Sequence, residues 1–379
     1  MKYLAFLIII SSLFISLNCS FHSALFNRLN KEKEGENLII SPLSIFQALS
    51  LAANGASGQT LSEMLDILEY NSLEELNKIN FEIISIINQF STIDIANAVM
   101  TKLTPLDNFT KISEQYLAPI EPLIDVEQVN NWCSNKTHGK IKKIIDKLGP
   151  YTVMIILNAV YFKGEWFSKF NEDSTRKLPF YNLGTEEINI DTMAQIDHFN
   201  YYEDKNVQAI ELPFYEDFMS AIIILPSKGV DINKYINSLS LPNNEYNKII
   251  EGFKFSKVHI QLPKFELEFE ENLNQVLIDL GMYEAFDEDL ADFTGLREEG
   301  HLFINSVIHK TYLKIFEDGC EAAAVTVIEI DAESAIDDPP REEKIYDMKV
   351  NRPFLFLLKN RKLPTEYNLV FMSKIEKLE

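Results

Sequence analysis

Cysteine is scarce in this sequence, with three residues in 379, and one of them, Cys19, belongs to an apolar N-terminal stretch. A small secreted scaffold held together by disulfides is therefore excluded. Cys133 stands beside a tryptophan in a helical pattern and Cys320 stands in a strand pattern, so both are predicted to be free thiols. Stability must come from a hydrophobic core, which a chain of this length can build.

Positive charge is also in short supply. Lys and Arg together number 35 against 57 Asp and Glu, which gives a formal net charge of −22. This balance argues against nucleic acid and anionic membranes as partners, and it favours a basic protein partner or simple solubility. No cluster of Lys or Arg stands out along the chain, so a heparin-type site is not predicted.

Catalytic and cofactor motifs are missing. The chain has no G-x-S-x-G nucleophile elbow, no H-E-x-x-H metal motif, no Walker loop and no G-x-G-x-x-G dinucleotide loop. Its six histidines lack metal-ligand spacing, and the acidic run at residues 287–292 lacks the glycine of a calcium loop. We therefore predict no enzyme, no cofactor and no metal. An enzyme would need a nucleophile and a base brought together from distant positions.

Apart from the N-terminus, no apolar run of targeting length occurs. Residues 1–19 combine a charged start with an apolar centre from Leu4 to Leu17, which is typical of a secretory signal and too short for a membrane span. We predict a signal peptide at 1–19 and a secreted, extracellular chain over 20–379; an uncleaved apolar N-terminus is the alternative. Glycosylation sequons begin at Asn108 and Asn135 and are usable where they are exposed.

The most informative stretch that is present covers residues 316–334. After Gly319, small or apolar side chains alternate with a second set that becomes acidic toward its end, which is the period of a half-buried strand. The charged residues 335–344 that follow are broken by Pro339 and Pro340, the composition of an exposed loop. A strand-capable segment thus leads straight into a solvent loop. An Ala-rich helix or an ordinary edge strand is the alternative interpretation.

Helical and strand patterns are mixed along the rest of the chain without regular alternation. Ser41 and Pro42 mark the start of a helix, and the apolar run Met154–Phe162 predicts a strand buried on both faces. These patterns predict an α+β fold in one large domain. Further helices are predicted at residues 21–29, 60–68, 129–148 and 272–280, and further strands at residues 93–101, 209–214, 219–225, 258–262, 264–269, 305–316, 354–358 and 369–372.

A series of motifs resembles the serpin family from the first helix to the C-terminus. No single motif is specific, but their order and spacing over nearly the whole chain identify it as a member of that family. The motifs are Asn37 with Ser41-Pro42-x-Ser44-Ile45; Ala96-Asn97; Asn131-Trp132 with Thr137-x-Gly139-Lys140-Ile141; Asn158-Ala159-x-Tyr161-Phe162-Lys163-Gly164-x-Trp166; Glu211-Leu212-Pro213-Phe214; Leu262-Pro263-Lys264-Phe265; Leu280-Gly281-Met282-x-x-Ala285-Phe286; Ala291-Asp292-Phe293-Thr294-Gly295; His309-Lys310; and Arg352-Pro353-Phe354-Leu355-Phe356.

The resemblance implies a serpin fold of three β-sheets with eight to nine helices and an exposed reactive centre loop at about residues 317–349. In this family a protease attacks the loop, which then inserts into the large sheet as a new central strand before the acyl-enzyme hydrolyses. The resemblance therefore implies a monomeric serine-type endopeptidase inhibitor that traps its target covalently. A non-inhibitory serpin that acts as a binding or storage protein, and a cross-class inhibitor of cysteine proteases, are the alternatives.

The match also implies a hinge and a reactive bond. Counting forward from Glu317 by the family's usual length places the bond at Glu333–Ser334, which implies a protease that prefers acidic residues. Counting back from Pro353 points to Arg341–Glu342, and a bait at Arg341 or Lys344 implies a trypsin-like protease. The inward side chains at the start of the loop are small, as insertion requires. The hinge residues are Glu317, Gly319, Cys320, Ala322, Ala323, Ala324 and Thr326.

A second set of matched residues concerns the opening of the sheet. Ser41, Ser44, Asn158 and His309 match a hydrogen-bonded cluster beneath the opening, and Trp166 matches the aromatic residue at its top. The resemblance implies that these residues control conformational change and that none is catalytic.

Overall fold

The computed structural model describes residues 20–89, 93–149, 152, 154–215, 218–239, 245–298, 302–320 and 343–379. Nine α-helices lie in these ranges, and none of them combines the length and the apolar character needed to cross a membrane. The helices are α1 (Phe21–Glu32), α2 (Pro42–Ala53), α3 (Gly58–Leu68), α4 (Leu73–Ile87), α5 (Asp107–Gln115), α6 (Val126–Lys136), α7 (Ile232–Ser238), α8 (Glu245–Gly252) and α9 (Asn274–Leu280).

Sixteen strands alternate irregularly with these helices in the described part of the chain. They are β1 (Leu38–Ile40), β2 (Ile93–Thr101), β3 (Ile120–Pro122), β4 (Met154–Phe162), β5 (Gly164–Glu165), β6 (Arg176–Asn182), β7 (Glu186–Glu203), β8 (Val207–Pro213), β9 (Met219–Pro226), β10 (Lys254–Pro263), β11 (Phe265–Asn272), β12 (Val307–Phe316), β13 (Gly319–Cys320), β14 (Tyr346–Lys349), β15 (Phe354–Asn360) and β16 (Leu369–Ile375).

Side-chain caps fix where several helices begin. The Ser41 hydroxyl accepts a hydrogen bond from the Ser44 amide at the start of α2, and Pro42 occupies the first turn, where a missing N–H costs nothing. Ser72 caps α4 and Asp125 caps α6 in the same way. Every residue of α2 is buried, so this helix is the centre on which the sheets pack.

One sheet contains seven of the described strands in the order β3-β2-β4-β12-β13-β5, with β11 on the other side of β12. Strands β4 and β12 are parallel neighbours, and the short strand β13 runs antiparallel to both β12 and β5. This seven-stranded sheet packs one face on α2 and carries α6 on the other.

The second sheet contains nine of the described strands and has two parts that share one long strand. The 18-residue β7 pairs with β6 and β10 along most of its length, and only its last residues, 200–203, pair with β8. Strands β8, β9, β15, β16 and β1 continue from there. The two parts together with the seven-stranded sheet give the three sheets that the resemblance implies.

Most predicted elements are confirmed with shifted ends, but the helix predicted over residues 129–148 is wrong beyond Lys136. The chain turns at His138 and Gly139, which have φ values of +51° and +79°, and an α-helix cannot continue through this left-handed backbone. The sequence patterns also missed four helices, α4, α5, α7 and α8, and five strands, β3, β5, β6, β7 and β14. The predicted signal peptide, residues 1–19, lies outside the described residues.

Candidate functional site

The hinge begins where β12 reverses direction. Strand β12 ends at Phe316, and the chain turns back so that Gly319 pairs with Phe316 and Cys320 pairs with Ile315. On their other side Gly319 and Cys320 pair with β5, opposite Glu165 and Gly164. The first residues of the predicted loop therefore already form a short strand, β13, between β12 and β5.

Gly319 makes a very close backbone approach to β5. A Cβ atom at this position would lie 2.0 Å from the Gly164 carbonyl oxygen and 2.8 Å from the Glu165 Cα, far inside any allowed contact, and the φ of Gly319 is +153°. Only glycine has both the missing side chain and the backbone freedom that this turn requires.

Below the hinge, β12 is in direct contact with β4. Residues 307–311 of β12 pair in parallel with residues 156–160 of β4. The direct pairing stops after Thr311, and β13 occupies the space next to β12 from Ile315 onward. The seven-stranded sheet is thus closed in its lower part and parted at its upper end, where the hinge enters.

Glu317 anchors the turn through a buried carboxylate. Its oxygens accept hydrogen bonds from Lys264 Nζ at 2.8 and 3.0 Å and from Thr175 Oγ1 at 2.6 Å, and the residue is 5% exposed. Burial alone would raise the pKa of the Glu317 carboxyl, but the hydrogen bonds from Lys264 and Thr175 outweigh it and lower the pKa below its ordinary value. The carboxylate is therefore held in its charged form.

Trp166 lies against the same turn. Its indole Nε1–H donates to the Phe316 carbonyl at 3.0 Å, and its backbone N–H donates to the Asp318 carbonyl at 2.8 Å. The indole stacks on Phe214 with ring centroids 4.5 Å apart, and it is 2% exposed. The predicted aromatic at the top of the opening therefore contacts the hinge itself.

Cys133 and Cys320, the two described cysteines, form no disulfide, as predicted, and both are buried. Cys320 is 1% exposed between β12 and β5, and its thiol points at the Phe162 carbonyl at 3.8 Å. Cys133 is a residue of α6 whose side chain lies in the core, and burial raises the pKa of its thiol to about 12. A protonated, buried thiol is a poor nucleophile, so Cys133 is a packing residue.

Three members of the predicted sheet-opening cluster meet beneath β12. Ser41, Ser44 and His309 are completely buried. The Ser41 amide donates to His309 Nε2 at 3.1 Å, and the Ser44 hydroxyl donates to the Ser41 carbonyl at 3.0 Å. The backbone of Asn158 lies in register with His309, which brings the fourth predicted member to the same level of the sheet. Trp166 belongs to the hinge and not to this group.

The His309 imidazole is neutral in this setting. Burial lowers its pKa to about 3, because the interior solvates the imidazolium form poorly. A neutral ring can accept the Ser41 amide at Nε2, whereas a charged ring would donate from both nitrogens and lose this bond. One further residue, Thr311, joins the group by donating its hydroxyl to the Ile39 carbonyl at 2.8 Å.

The outer face of the sheet is covered by α6 and by the segment that follows it. Asn130 holds that segment: its Oδ1 accepts the amides of Ile144 and Ile145 at 2.7 and 3.0 Å, and its Nδ2 donates to the Ile145 carbonyl at 3.0 Å. From the sheet, Lys310 Nζ bonds the Lys143 carbonyl. The same ammonium pairs with Glu268 at 2.7 Å and Glu270 at 3.0 Å.

Several contacts at the hinge escaped sequence reasoning. Lys264 and Thr175 belong to segments far from Glu317 along the chain, and no spacing rule links them. Lys264 stands in one of the family motifs, but that motif alone gave it no partner. The remaining predicted site residues lie outside the described residues: Ala322, Ala323, Ala324, Thr326, Glu333, Ser334, Arg341 and Glu342.

The two predicted glycosylation sites are on the surface. Asn108 in α5 and Asn135 in α6 are both exposed, which meets the requirement that the sequence prediction set. Among the described residues, no three His, Cys, Asp or Glu side chains are grouped so that they could hold a metal ion.

Comparison with protein families matches residues 16–377 to the serpin (serine protease inhibitor) model. The chain belongs to the serpin family. The match includes the hinge, the cluster under β12 and both large sheets, so the fold is the serpin fold. Serpins are mostly protease inhibitors and not enzymes, and members of the family form complexes with target proteases.

Individual relatives agree with this assignment. Leukocyte elastase inhibitor of Xenopus laevis is 32% identical over 357 residues, covering 89% of this serpin and 92% of the relative. Intracellular coagulation inhibitor 2 of Tachypleus tridentatus is 32% identical over 348 residues, covering 86% and 83%. The crystal structure of the thermophilic serpin tengpin in its native state superposes with a TM-score of 0.82 at 31% identity, covering 96% of this chain and 94% of tengpin.

Proposed function

We propose that this serpin inhibits a serine protease by covalent trapping, with insertion of its reactive loop between β4 and β12. The observation that carries the proposal is the position of Gly319 and Cys320. They are paired on both sides at the upper end of the sheet, while β4 and β12 still pair directly below. A strand that continues downward from Cys320 would run antiparallel to both neighbours, so five pairs of directly paired residues must separate to admit it.

The existing pairing also suggests a register for the inserted loop. Cys320 pairs with Ile315, so each later residue would pair one position lower on β12, with Ala322 opposite Leu313, Ala324 opposite Thr311 and Thr326 opposite His309. Leu313, Thr311 and His309 are buried. The incoming side chains on this face are small, which is what a packed interior can accept.

The opposite face of the inserted strand fits as well. In the same register Glu321 would lie opposite Lys314, an exposed-side pairing of opposite charges. At about 3.3 Å per residue, the 14 residues from Cys320 to Glu333 would carry an attached protease roughly 45 Å, about the length of a domain. A displacement of this size supports distortion of the protease rather than simple cleavage of the loop.

The target class depends on which bond is attacked. Glu333–Ser334 predicts a protease that accepts an acidic residue, and Arg341–Glu342 predicts a trypsin-like one. We propose that the protein is secreted after removal of residues 1–19 and that exposed Asn108 and Asn135 carry glycans. Sequencing the N-terminus of the protein recovered from the medium, together with the mass before and after glycosidase treatment, tests both statements.

The decisive experiment incubates the purified protein with trypsin-like, chymotrypsin-like, elastase-like and acid-specific proteases, followed by denaturing gels. A complex that survives denaturation supports trapping, and the mass of the released C-terminal peptide identifies the bond. Cleavage by these proteases with no complex in any case would overturn the proposal and leave the binding or storage role. A panel of papain-like cysteine proteases separates the cross-class alternative.

A matched pair of variants links trapping to insertion. Cys320→Arg places a long cation where a side chain is 1% exposed between two strands, so the loop should become a plain substrate. Cys320→Ser keeps the volume and should still form the complex. Equal amounts of complex from both variants would contradict insertion along this path.

A further inference from the structure

A cavity of about 690 Å³ lies between three connections of the nine-stranded sheet. One wall is the turn between β6 and β7, the second is the loop from Pro226 to Asp231 that leads into α7, and the third is Arg352 with Pro353, just before β15. We call this cavity the loop pocket. Its volume lies in the range of pockets that bind ligands. The residues of the hinge and of the cluster under β12 do not line it, so it is a separate place on the molecule.

Arg352 brings a positive charge into the loop pocket. The residue is partly buried, its Nε donates to the Pro226 carbonyl at 2.8 Å, and its Nη1 donates to Asn351 Oδ1 at 3.3 Å. Burial lowers the pKa of Arg352, and no neighbouring carboxylate among the described residues opposes this effect, but a guanidinium stays charged at neutral pH. The Nη2 group is therefore available to an acceptor from outside the protein.

The carboxylates that line the loop pocket do not neutralise this guanidinium. Glu376 is buried and pairs with the completely buried Lys374, whose Nζ lies 2.6 Å from its carboxylate. Asp231 accepts two amides at the start of α7. Glu34 is exposed, and so is Lys228, which brings the opposite charge to the same lining. The partly buried guanidinium thus has no counter-ion at ion-pair distance in the described part of the chain.

The turn between β6 and β7 holds a strained leucine against the loop pocket. Leu183 and Gly184 are the central residues of this turn, with φ values of +52° and +77°, and the Thr185 amide donates to the Asn182 carbonyl at 3.0 Å. Positive φ at both central residues is typical of a type I′ turn, which favours Asn or Asp before Gly. A bulky leucine is strained there, and with 43% of its surface exposed it gains little from burial. Strain of this kind is concentrated at positions that contact ligands.

A second exposed apolar side chain lines the same cavity. Val230, in the loop before α7, is 38% exposed, and it lines the loop pocket together with Leu183. Pro226, Ile232 and Pro353 complete the apolar part of the lining. Polar side chains lie among them: Thr185, Ser227 and Asn233. Because polar groups interrupt the apolar surface, the pocket suits one apolar side chain flanked by peptide groups better than a continuous hydrocarbon tail.

We propose that the loop pocket binds the C-terminus of a partner protein, through a free α-carboxylate and an apolar last residue. The carboxylate would accept hydrogen bonds from the guanidinium of Arg352, whose planar fork matches its geometry. The last side chain would pack on Leu183 and Val230, and capture of a terminal carboxylate is a known mode of peptide recognition. The net charge of −22 favours a partner that is basic before its terminus. This proposal does not depend on protease inhibition.

The first test titrates the intact, unmodified protein with an acetylated peptide that contains lysines and ends in leucine with a free carboxylate. The same peptide ending in a carboxamide is the control. We expect the acid to bind at least about tenfold more tightly, because the amide lacks the charge that pairs with Arg352. A peptide ending in serine with a free carboxylate should also bind less tightly than the leucine acid. Equal affinity of acid and amide, or no binding of the acid, would overturn the proposal. Binding of decanoate as tight as that of the acid peptide would also overturn it, because the pocket would then belong to a small amphipathic anion.

Variants separate binding from folding. Leu183→Asn gives the turn a residue that type I′ geometry favours, so it should raise the midpoint of thermal unfolding and still weaken binding of the acid peptide. Arg352→Gln should lose the preference for acid over amide, whereas Arg176→Gln, which removes one exposed positive charge elsewhere, should keep it. Unchanged binding in Leu183→Asn, or a preference for the acid that persists in Arg352→Gln, would contradict the proposed contacts.

Discussion

Gly319 lies directly against Gly164, with no room for a methyl group between the Cα of one and the carbonyl of the other. This contact holds the hinge between β12 and β5. In Gly319→Ala the new Cβ would collide with the backbone of β5 at Gly164 and Glu165 and the positive φ would be strained, so we expect a loss of about 1–3 kcal/mol in the free energy of unfolding. Chemical denaturation measures it.

The same variant has a second readout. If Gly319→Ala expels the hinge, the buried Cys320 thiol should become reactive toward a disulfide reagent, while Cys133 stays protected on the buried face of α6. Peptide mass after labelling distinguishes the two thiols. Unchanged stability together with an unreactive Cys320 would contradict the tight fit at Gly319.

The ion pair of Glu317 with Lys264 predicts a particular dependence on pH. The native pKa of Glu317 is lowered, so the stability it provides is complete above the ordinary carboxyl pKa and is lost as the pH falls through the lowered value. Glu317→Gln should cost about 2 kcal/mol at neutral pH, and this cost should shrink in acid. Urea unfolding of both proteins over a pH series measures the difference, and a cost that grows in acid would exclude this role.

His309 predicts acid sensitivity of another origin. Its native pKa is lowered to about 3, and an unfolded histidine titrates near 6.5, so between these values the unfolded chain binds a proton that the native ring does not. Native stability therefore falls with falling pH, by about 1.4 kcal/mol per pH unit from this group. In His309→Gln that part of the slope should vanish when unfolding is measured between pH 6 and pH 4. An unaltered slope would show that the ring is protonated in the fold.

Asn130 predicts how firmly the segment after α6, at Ile144 and Ile145, is held on the seven-stranded sheet. Asn130→Ala removes three hydrogen bonds to Ile144 and Ile145, which should lower stability by about 2 kcal/mol and accelerate hydrogen exchange of those two amides. Asn131→Ala, the same change at an exposed position of the same helix, is the control. If exchange at Ile144 and Ile145 is equally fast in both variants, another contact holds this segment.

Sequence patterns predicted the elements that lie in one kind of environment along their whole length. Met154–Phe162 is apolar except at Asn158, and Met154 and Ile156 are buried in one core cluster while Ile155 and Leu157 are buried in the other, so both faces of β4 are covered; the observed bounds equal the predicted ones. Strand β7 was missed because its exposed and buried residues follow no single period, as its burial changes along the 18 residues. Because β7 belongs to both parts of the nine-stranded sheet, its two ends pair with different strands and are buried to different extents.

The candidate site likewise contains residues that could be identified from the sequence and residues that could not. Gly319 and the small residues after it could be recognised from the local sequence, because a glycine indicates a turn and a two-residue alternation of side chains indicates a strand. The partners of Glu317 could not, since Lys264 and Thr175 reach it only through the fold. The extent of α6 depended on a left-handed turn at His138 and Gly139, residue types that adopt this backbone more often than most but do not require it.

The short strand at Gly319 and Cys320 has a consequence for the speed of loop insertion. Starting a new strand inside a sheet is slow, because its first residues lose conformational entropy before they form hydrogen bonds with the neighbouring strands. Here the seed is in place, with partners on both flanks. In the loop insertion that we propose, each further residue would pair next to one that is already paired. The separation of β4 from β12, from Thr311 down to Val307, would then be the slowest step.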